Sequence, residues 1–188
     1  ERVLREARTE AGGCHWEYSF QDVIGGEAGI GLALLEMHRL TRDERWLEAA
    51  RDAARWLVGK ASRQKDGLAW SPYDAADASF SHGTSGIGFF LMSLPGAEAR
   101  KASLAAARWV EAAAVPAGKA GRLWAYYAGD PPEGKQNWVM NSWCHGAPGN
   151  VRLFLLQHRA DGSARALATA VAAGEGIASE CRLESGTP

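Results

Sequence analysis

The chain has 188 residues, 46% of them hydrophobic and 23% charged, a globular composition with length enough to bury about 70% of the unfolded surface, which rules out a disordered tail or a collagen-like fibre. Lys and Arg number 21 and Asp and Glu 22, leaving a formal net charge of −1, so there is no electrostatic footprint for nucleic acid or an anionic membrane. The longest uncharged run, 78–97, carries four glycines, a histidine, four serines and a proline and cannot span a bilayer.

Residues 1–10 read as a charged helix without a signal peptide, and a first residue of Glu rather than Met reads as the edge of something longer. Three cysteines, Cys14, Cys144 and Cys181, are odd in number and widely spaced, against a disulfide framework and for a reducing, cytoplasmic compartment. Cys14-His15 follows Gly12-Gly13 in a loop. A Gly-x-x-Gly core then occurs three times, starting at Gly26, Gly83 and Gly146, at steps of 57 and 63 residues. Such self-similarity marks a repeat with variable loops.

Behind each core lies a short, almost wholly apolar run: 30–35, 87–94 and 151–156. Each reads as a helix buried on nearly every face. A second, amphipathic helix follows each run, over Asp43–Val58, Glu98–Ala113 and Ser163–Ala173. Asp43 stands as an N-cap or first-turn acid, and Gly59 and Gly174 stand where helices end. His38 and His158 occupy matching inner-helix ends, where a cation suits the C-terminus. Leu68-Ala69-Trp70 and 122–127 are short β candidates for hairpins at one rim. The expected fold is all-α, a solenoid or closed toroid of α-hairpins with small β-hairpins in the rim loops. The glycines would let inner-helix N-termini crowd at the axis.

Chemistry gathers at the rim in front of the three cores: Asp22 in the first, His82 in the second, Cys144 with His145 in the third. Positive helix N-termini behind them favour a thiolate at Cys144, as a metal ligand or a nucleophile. Taken singly, Cys144 reads as a buried inert thiol, His82 as a histidine satisfied by backbone and Asp22 as an N-cap. Trp70, Trp124, Trp138 and Trp143 either grip a peptide or anchor loops.

Ser142-Trp143-Cys144-His145-Gly146-Ala147-Pro148-Gly149 resembles the Trp-Cys-x-Gly-x-Pro-Gly block of the lanthionine synthetase C-like family, which carries its first zinc cysteine. Asp22-Val23-Ile24 with its Gly-x-x-Gly-Ile, and Ser81-His82-Gly83-Thr84-Ser85-Gly86-Ile87, resemble the blocks carrying a catalytic aspartate and a catalytic histidine. The resemblance runs from about Asp22 to the C-terminal end. It implies a single α/α toroid domain over 1–188, the central part of a family domain with repeats missing at both ends. It also implies one Zn²⁺ held by two cysteines and a histidine, and a thioether-forming reaction. A peptide cysteine, or glutathione, adds to a dehydroalanine or dehydrobutyrine of a dehydrated precursor peptide. By the same resemblance Cys144 is a zinc ligand, His82 and Asp22 are acid/base or orienting groups, and His145 and Trp143 contact substrate. The remaining ligands are expected beyond Pro188 in a repeat opening Cys-His-Gly, since Cys181 is followed by Arg182. Where family members often carry an arginine before the zinc cysteine, this chain has Val139, Met140, Asn141 and Ser142. Two other readings stay open: a zinc-free peptide-binding scaffold, and a carbohydrate-active toroid, which needs a carboxylate pair among Asp22, Asp74 and Asp77.

Overall fold

Three apolar runs, each followed by an amphipathic one, fold as three consecutive α-hairpins. The computed structural model describes residues 2–10, 12–16, 20–71, 77–131 and 133–180. After a helical turn α1 (Arg2–Arg5) come the strands β1 (Arg8–Glu10) and β2 (Gly13–His15), then helices α2 (Glu27–Thr41) and α3 (Glu44–Lys60). The order recurs as β3 (Ser62–Gln64), β4 (Gly67–Ala69), α4 (Thr84–Ser93) and α5 (Ala97–Ala112). It recurs again as β5 (Val115–Ala117), β6 (Gly121–Leu123), α6 (Ala147–Asp161) and α7 (Ala164–Glu180). Each strand pair is an isolated antiparallel hairpin. The architecture is a helical toroid, incomplete among the described residues, with β-hairpins in the connecting loops.

The inner helices α2, α4 and α6 are capped by Gly26, Gly83 and Gly146. Helix α4 packs on α2 on one side and α6 on the other and is buried along almost its whole length. The expectation that all three inner helices are buried all round holds only for this middle one. α2 leaves Met37 and Leu40 exposed, and the outer helix α7 exposes Leu167 and Val171, because no described element covers those end faces. Asp43 is the N-cap of α3, its carboxylate accepting the Arg45 N–H. Gly59, expected at a helix end, is the next-to-last residue of α3, whereas Gly174, also expected at an end, lies inside α7. Both face open space, and a glycine on an exposed helical face costs only about 1 kcal/mol, too little to stop a helix held by packing. Residues 1–10, expected as helix, instead give α1 and β1, and Cys14 and His15 belong to β2 rather than a loop.

The repeat unit is larger than the Gly-x-x-Gly pattern alone shows. Trp16, Trp70 and Trp124 recur at an unvarying step of 54 residues, as do Gly13, Gly67 and Gly121. Each glycine opens or precedes a second hairpin strand where it presses on the following outer helix: an added Cβ would meet Asp52 O, Ala105 O or the Gly176 backbone. Each tryptophan donates its indole N–H backwards, Trp16 to Val3 O (2.7 Å), Trp70 to Leu57 O (2.8 Å) and Trp124 to Val110 O (2.6 Å). The last two bonds occupy carbonyls near outer-helix C-termini that the helix itself leaves without partners. Trp70 and Trp124 are therefore buried packing anchors, 0% and 1% exposed, whereas Trp138 and Trp143 are open to solvent. The backbone N–H of the tryptophan is held by the first residue of the next inner helix: Trp16 N by Glu27 Oε1 (3.0 Å) and Trp70 N by Thr84 Oγ1 (3.0 Å).

The corner between inner and outer helix also repeats. α2 and α6 end through left-handed residues, Arg42 (φ 60°) and Gly162 (φ 71°), whose N–H groups return to His38 O and His158 O, closing the helix ends. The two imidazoles reach forward, His38 Nδ1 to Asp43 O (3.2 Å) and His158 Nδ1 to Ser163 O (3.1 Å). Since a carbonyl only accepts, Nδ1 carries the proton in both. His158→Ala should lower stability by about 1 kcal/mol, the worth of one such bond, read as a lower midpoint in urea unfolding with an unchanged slope.

Candidate active site

The loop entering each inner helix folds the same way in all three repeats, and that shared fold sets the register of the site. Four residues ahead of the capping glycine a side-chain oxygen accepts the N–H three residues on: Asp22 Oδ1 from Gly25 (2.8 Å), Ser79 Oγ from His82 (3.3 Å) and Ser142 Oγ from His145 (3.2 Å). Turns of this kind suit Asp and Ser, whose short side chains mimic backbone. Asp22 is thus a turn-former rather than the helix N-cap. Its counterparts are Ser79 and Ser142. Those of His82 are Gly25 and His145, and those of Cys144 are Ile24 and Ser81. The candidate residues stand at different positions of equivalent loops.

Each loop lies on the N-terminus of its own helix, and this is what the paired glycines are for. An added Cβ would collide with the carbonyl six residues earlier: Phe20, Asp77 and Met140 for Gly26, Gly83 and Gly146, and Val23, Phe80 and Trp143 for Gly29, Gly86 and Gly149. Crowding of inner helices at the axis, the expected reason, is secondary. Neighbouring loops are then laced together, Val23 N–H donating to Ser81 O (3.0 Å) and Ser81 N–H to Cys144 O (3.1 Å), with Ser81 Oγ also on Cys144 O (3.0 Å). Three segments far apart in sequence become one rim.

Across the first lacing, Asp22 Oδ2 lies 2.8 Å from His82 Nδ1. The Asp22 side chain is 2% exposed and that of His82 30%. An ionised carboxylate only accepts, so it fixes the His82 proton on Nδ1 and leaves Nε2 as the nitrogen that takes up or gives a proton. Across the second lacing, the His82 and His145 rings stand 5.6 Å apart, and His145 stacks on Tyr126 at 4.7 Å and 16°. Burial pushes the His145 pKa down, against a pull upward from Asp77, with His82 adding a push downward. Asp77 is raised by burial, opposed by hydrogen bonds from Ser79, whose N–H and hydroxyl meet its carboxylate at 2.6 and 3.0 Å. Trp143 is 44% exposed and sets its ring edge-on to Phe80 at 5.5 Å.

Cys144 Sγ is 3.1 Å from Ser142 Oγ, whose hydroxyl also bonds His145 O at 3.0 Å. Cys144 is a free, partly exposed thiol, whereas Cys14 is buried, its thiol pushed up to about 11 by burial first and the nearby Glu27 charge second. That keeps Cys14 an inert protonated thiol at neutral pH. A structural or catalytic zinc site needs at least three protein donors. Among the described residues no group of three or more His, Cys, Asp or Glu is placed to hold a metal, so Cys144 and its described neighbours do not by themselves complete a zinc site. Cys181 and Asp74 lie outside the described residues. The carboxylates that could have formed a glycosidase pair are engaged separately, Asp22 with His82 and Asp77 with Ser79.

The structure joins Asp22, His82 and His145 directly and brings the Cys144 main chain onto the residue before His82. Ser142 and Tyr126 are parts of the site that sequence reasoning did not assign to it, and Asp77 was named only as a carboxylate for the carbohydrate-active reading. The signal for Ser142 was its offset from the capping glycine, shared with Asp22. No helix is long and apolar enough to cross a membrane among the described residues. A family model described as lanthionine synthetase C-like protein matches residues 2–180. No curated protein matches the chain.

Proposed function

The chain belongs to the lanthionine synthetase C-like family, and from that membership we propose that it serves carbon–sulfur bond formation, the addition of a thiol to dehydroalanine or dehydrobutyrine in a dehydrated peptide. The thiol is a cysteine of the same peptide or glutathione. The observation that carries the reading is the Asp22–His82 pair, a buried carboxylate 2.8 Å from an imidazole that itself reaches the surface, laced to the loop of Cys144. In the reaction the thiolate sulfur bonds to the β-carbon, the double-bond pair moves to the α-carbon and carbonyl oxygen, and a proton then completes the α-carbon. Nothing leaves and nothing is oxidised. In this reading His82 Nε2 delivers that proton, and Asp22 orients the ring and stabilises its charged form. His145 and Trp143 contact the peptide.

We assign Cys144 as one thiolate ligand of a zinc ion whose other ligands lie outside the described residues. Bound zinc would lower the pKa of an incoming thiol. Free thiols at Cys14 and Cys144 fit a reducing, cytoplasmic setting. The test presents the native protein with a dehydrated peptide containing cysteine, or with glutathione and a dehydroalanine peptide, and counts thiols left open to alkylation. Loss of free thiol supports the reading, and an unchanged count contradicts it. Metal analysis addresses the ligand separately: Cys144→Ala should lose bound zinc, and full occupancy in that variant would show the ligand assignment wrong.

A further inference from the structure

Several buried polar side chains of the described residues, Ser85, Asn150 and His145 among them, have hydrogen-bonding capacity unspent, and of these three His145 is the one whose ring stands beside that of His82. Both ring nitrogens of His145 are buried without a hydrogen-bond partner among the described residues, yet an imidazole carries at least one N–H donor in any protonation state. Leaving such a group unpaired costs about 1–3 kcal/mol, and the exceptions in native folds call for a reason. The repeat makes the departure specific. His145 is the counterpart of His82, each one residue ahead of its capping glycine and each closing the same side-chain turn. His82 receives a carboxylate from the preceding loop, Asp22. The residue in that place for His145 is Ser79, and its hydroxyl is already spent on Asp77 Oδ2 (3.0 Å) and the His82 N–H (3.3 Å). His145 keeps the ring and has no such partner.

We propose that His145 donates a hydrogen bond to the carbonyl oxygen of the dehydroamino acid and holds the enolate formed when the thiol adds. The inference rests on the thioether-forming reading. Sulfur bonds to the β-carbon, and the displaced π pair puts negative charge on the carbonyl oxygen until a proton reaches the α-carbon. The oxygen and α-carbon are separated by one carbonyl carbon, so the donor to one and the acid for the other must be neighbours. His145 and His82 are, with rings 5.6 Å apart. Tyr126, stacked at 4.7 Å, shields His145 from water in the free protein, and the bound substrate takes its place against the ring. A donor aimed at developing oxyanion charge in a site closed to water contributes about 10²–10³-fold.

The test compares native protein with His145→Phe, which keeps an aromatic plane against Tyr126 but has no N–H, and with His145→Asn, whose amide restores a donor. His145→Phe should lower kcat for thioether formation about 10²–10³-fold with little change in KM, and His145→Asn should recover about tenfold or more of that loss. Nitrogen-15 NMR of the native protein gives an arm that no variant's folding can spoil: the His145 ring resonance should shift on adding a dehydroalanine peptide that has serine in place of cysteine. Native kcat in His145→Phe, equal losses in both variants at equal thermal midpoints, or an unmoved resonance would each overturn the inference. If the native protein itself forms no thioether, the functional reading falls and this inference with it. An active native protein with an indifferent His145→Phe removes this inference alone.

Discussion

His82→Ala should slow thioether formation by about 10²–10⁴-fold, the usual contribution of a positioned general acid, and should leave the fold and any bound zinc in place. The fold is expected to survive because the His82 side chain is partly solvated, while the loop is held by main-chain bonds and Ser79. Asp22→Asn should approach the same loss by a different route. An asparagine can still accept the Gly25 N–H and keep the turn, but its amide can also donate, so it no longer dictates a proton on Nδ1 of His82 and does not stabilise the charged ring. Rates of ring closure on a dehydrated peptide check both, and a rate within a few-fold of native for either would remove that residue from the chemistry.

Gly86→Ala should cost about 3 kcal/mol, at the upper end of what forced overpacking costs in a closed core. The added methyl group would strike the Phe80 carbonyl and sit against Val23 Cγ2. Neither can retreat, since Phe80 is buried and Val23 is laced to Ser81. Relief would lift the whole 77–83 loop, and His82 with it, so activity should fall together with stability. For a chain of this size the thermal midpoint should drop by roughly 6–12 °C. Gly174→Ala is the matched contrast: the position is inside α7 with nothing near an added Cβ, and it should gain about 0.5–1 kcal/mol. Equal effects of the two substitutions would show that loop-on-helix contact is not what Gly86 is for.

The repeats were legible because buried inner helices leave an apolar run and close backbone contact leaves glycine, and both survive in sequence whatever the loops do. The capping positions at Gly26, Gly83 and Gly146 followed directly. The unit's outer limits did not, because three-residue hairpins carry almost no periodic signal. The even step from Trp16 to Trp70 to Trp124 would have given them. The helix end expected at Gly174 was misplaced because glycine's local preference is weak beside the packing of a long outer helix. At the site, Asp22, His82, Cys144 and His145 could be named from their place before each Gly-x-x-Gly, but their mutual register could not. Aligned on the glycines, Asp22 is the counterpart of Ser142, not of Cys144. Only the lacing of one loop to the next, through Val23 to Ser81 and Ser81 to Cys144, decides which side chains meet.

That lacing brings Asp22 and His82 together from two repeats; the proposal that they act as one unit is tested most directly by a double-mutant cycle on ring closure. With rates measured for Asp22→Asn, His82→Ala and the pair together, Asp22 acting through His82 predicts that the double variant is no slower than His82→Ala alone, as for residues that act as a unit. Losses that multiply would mean that the two act independently and would contradict the account.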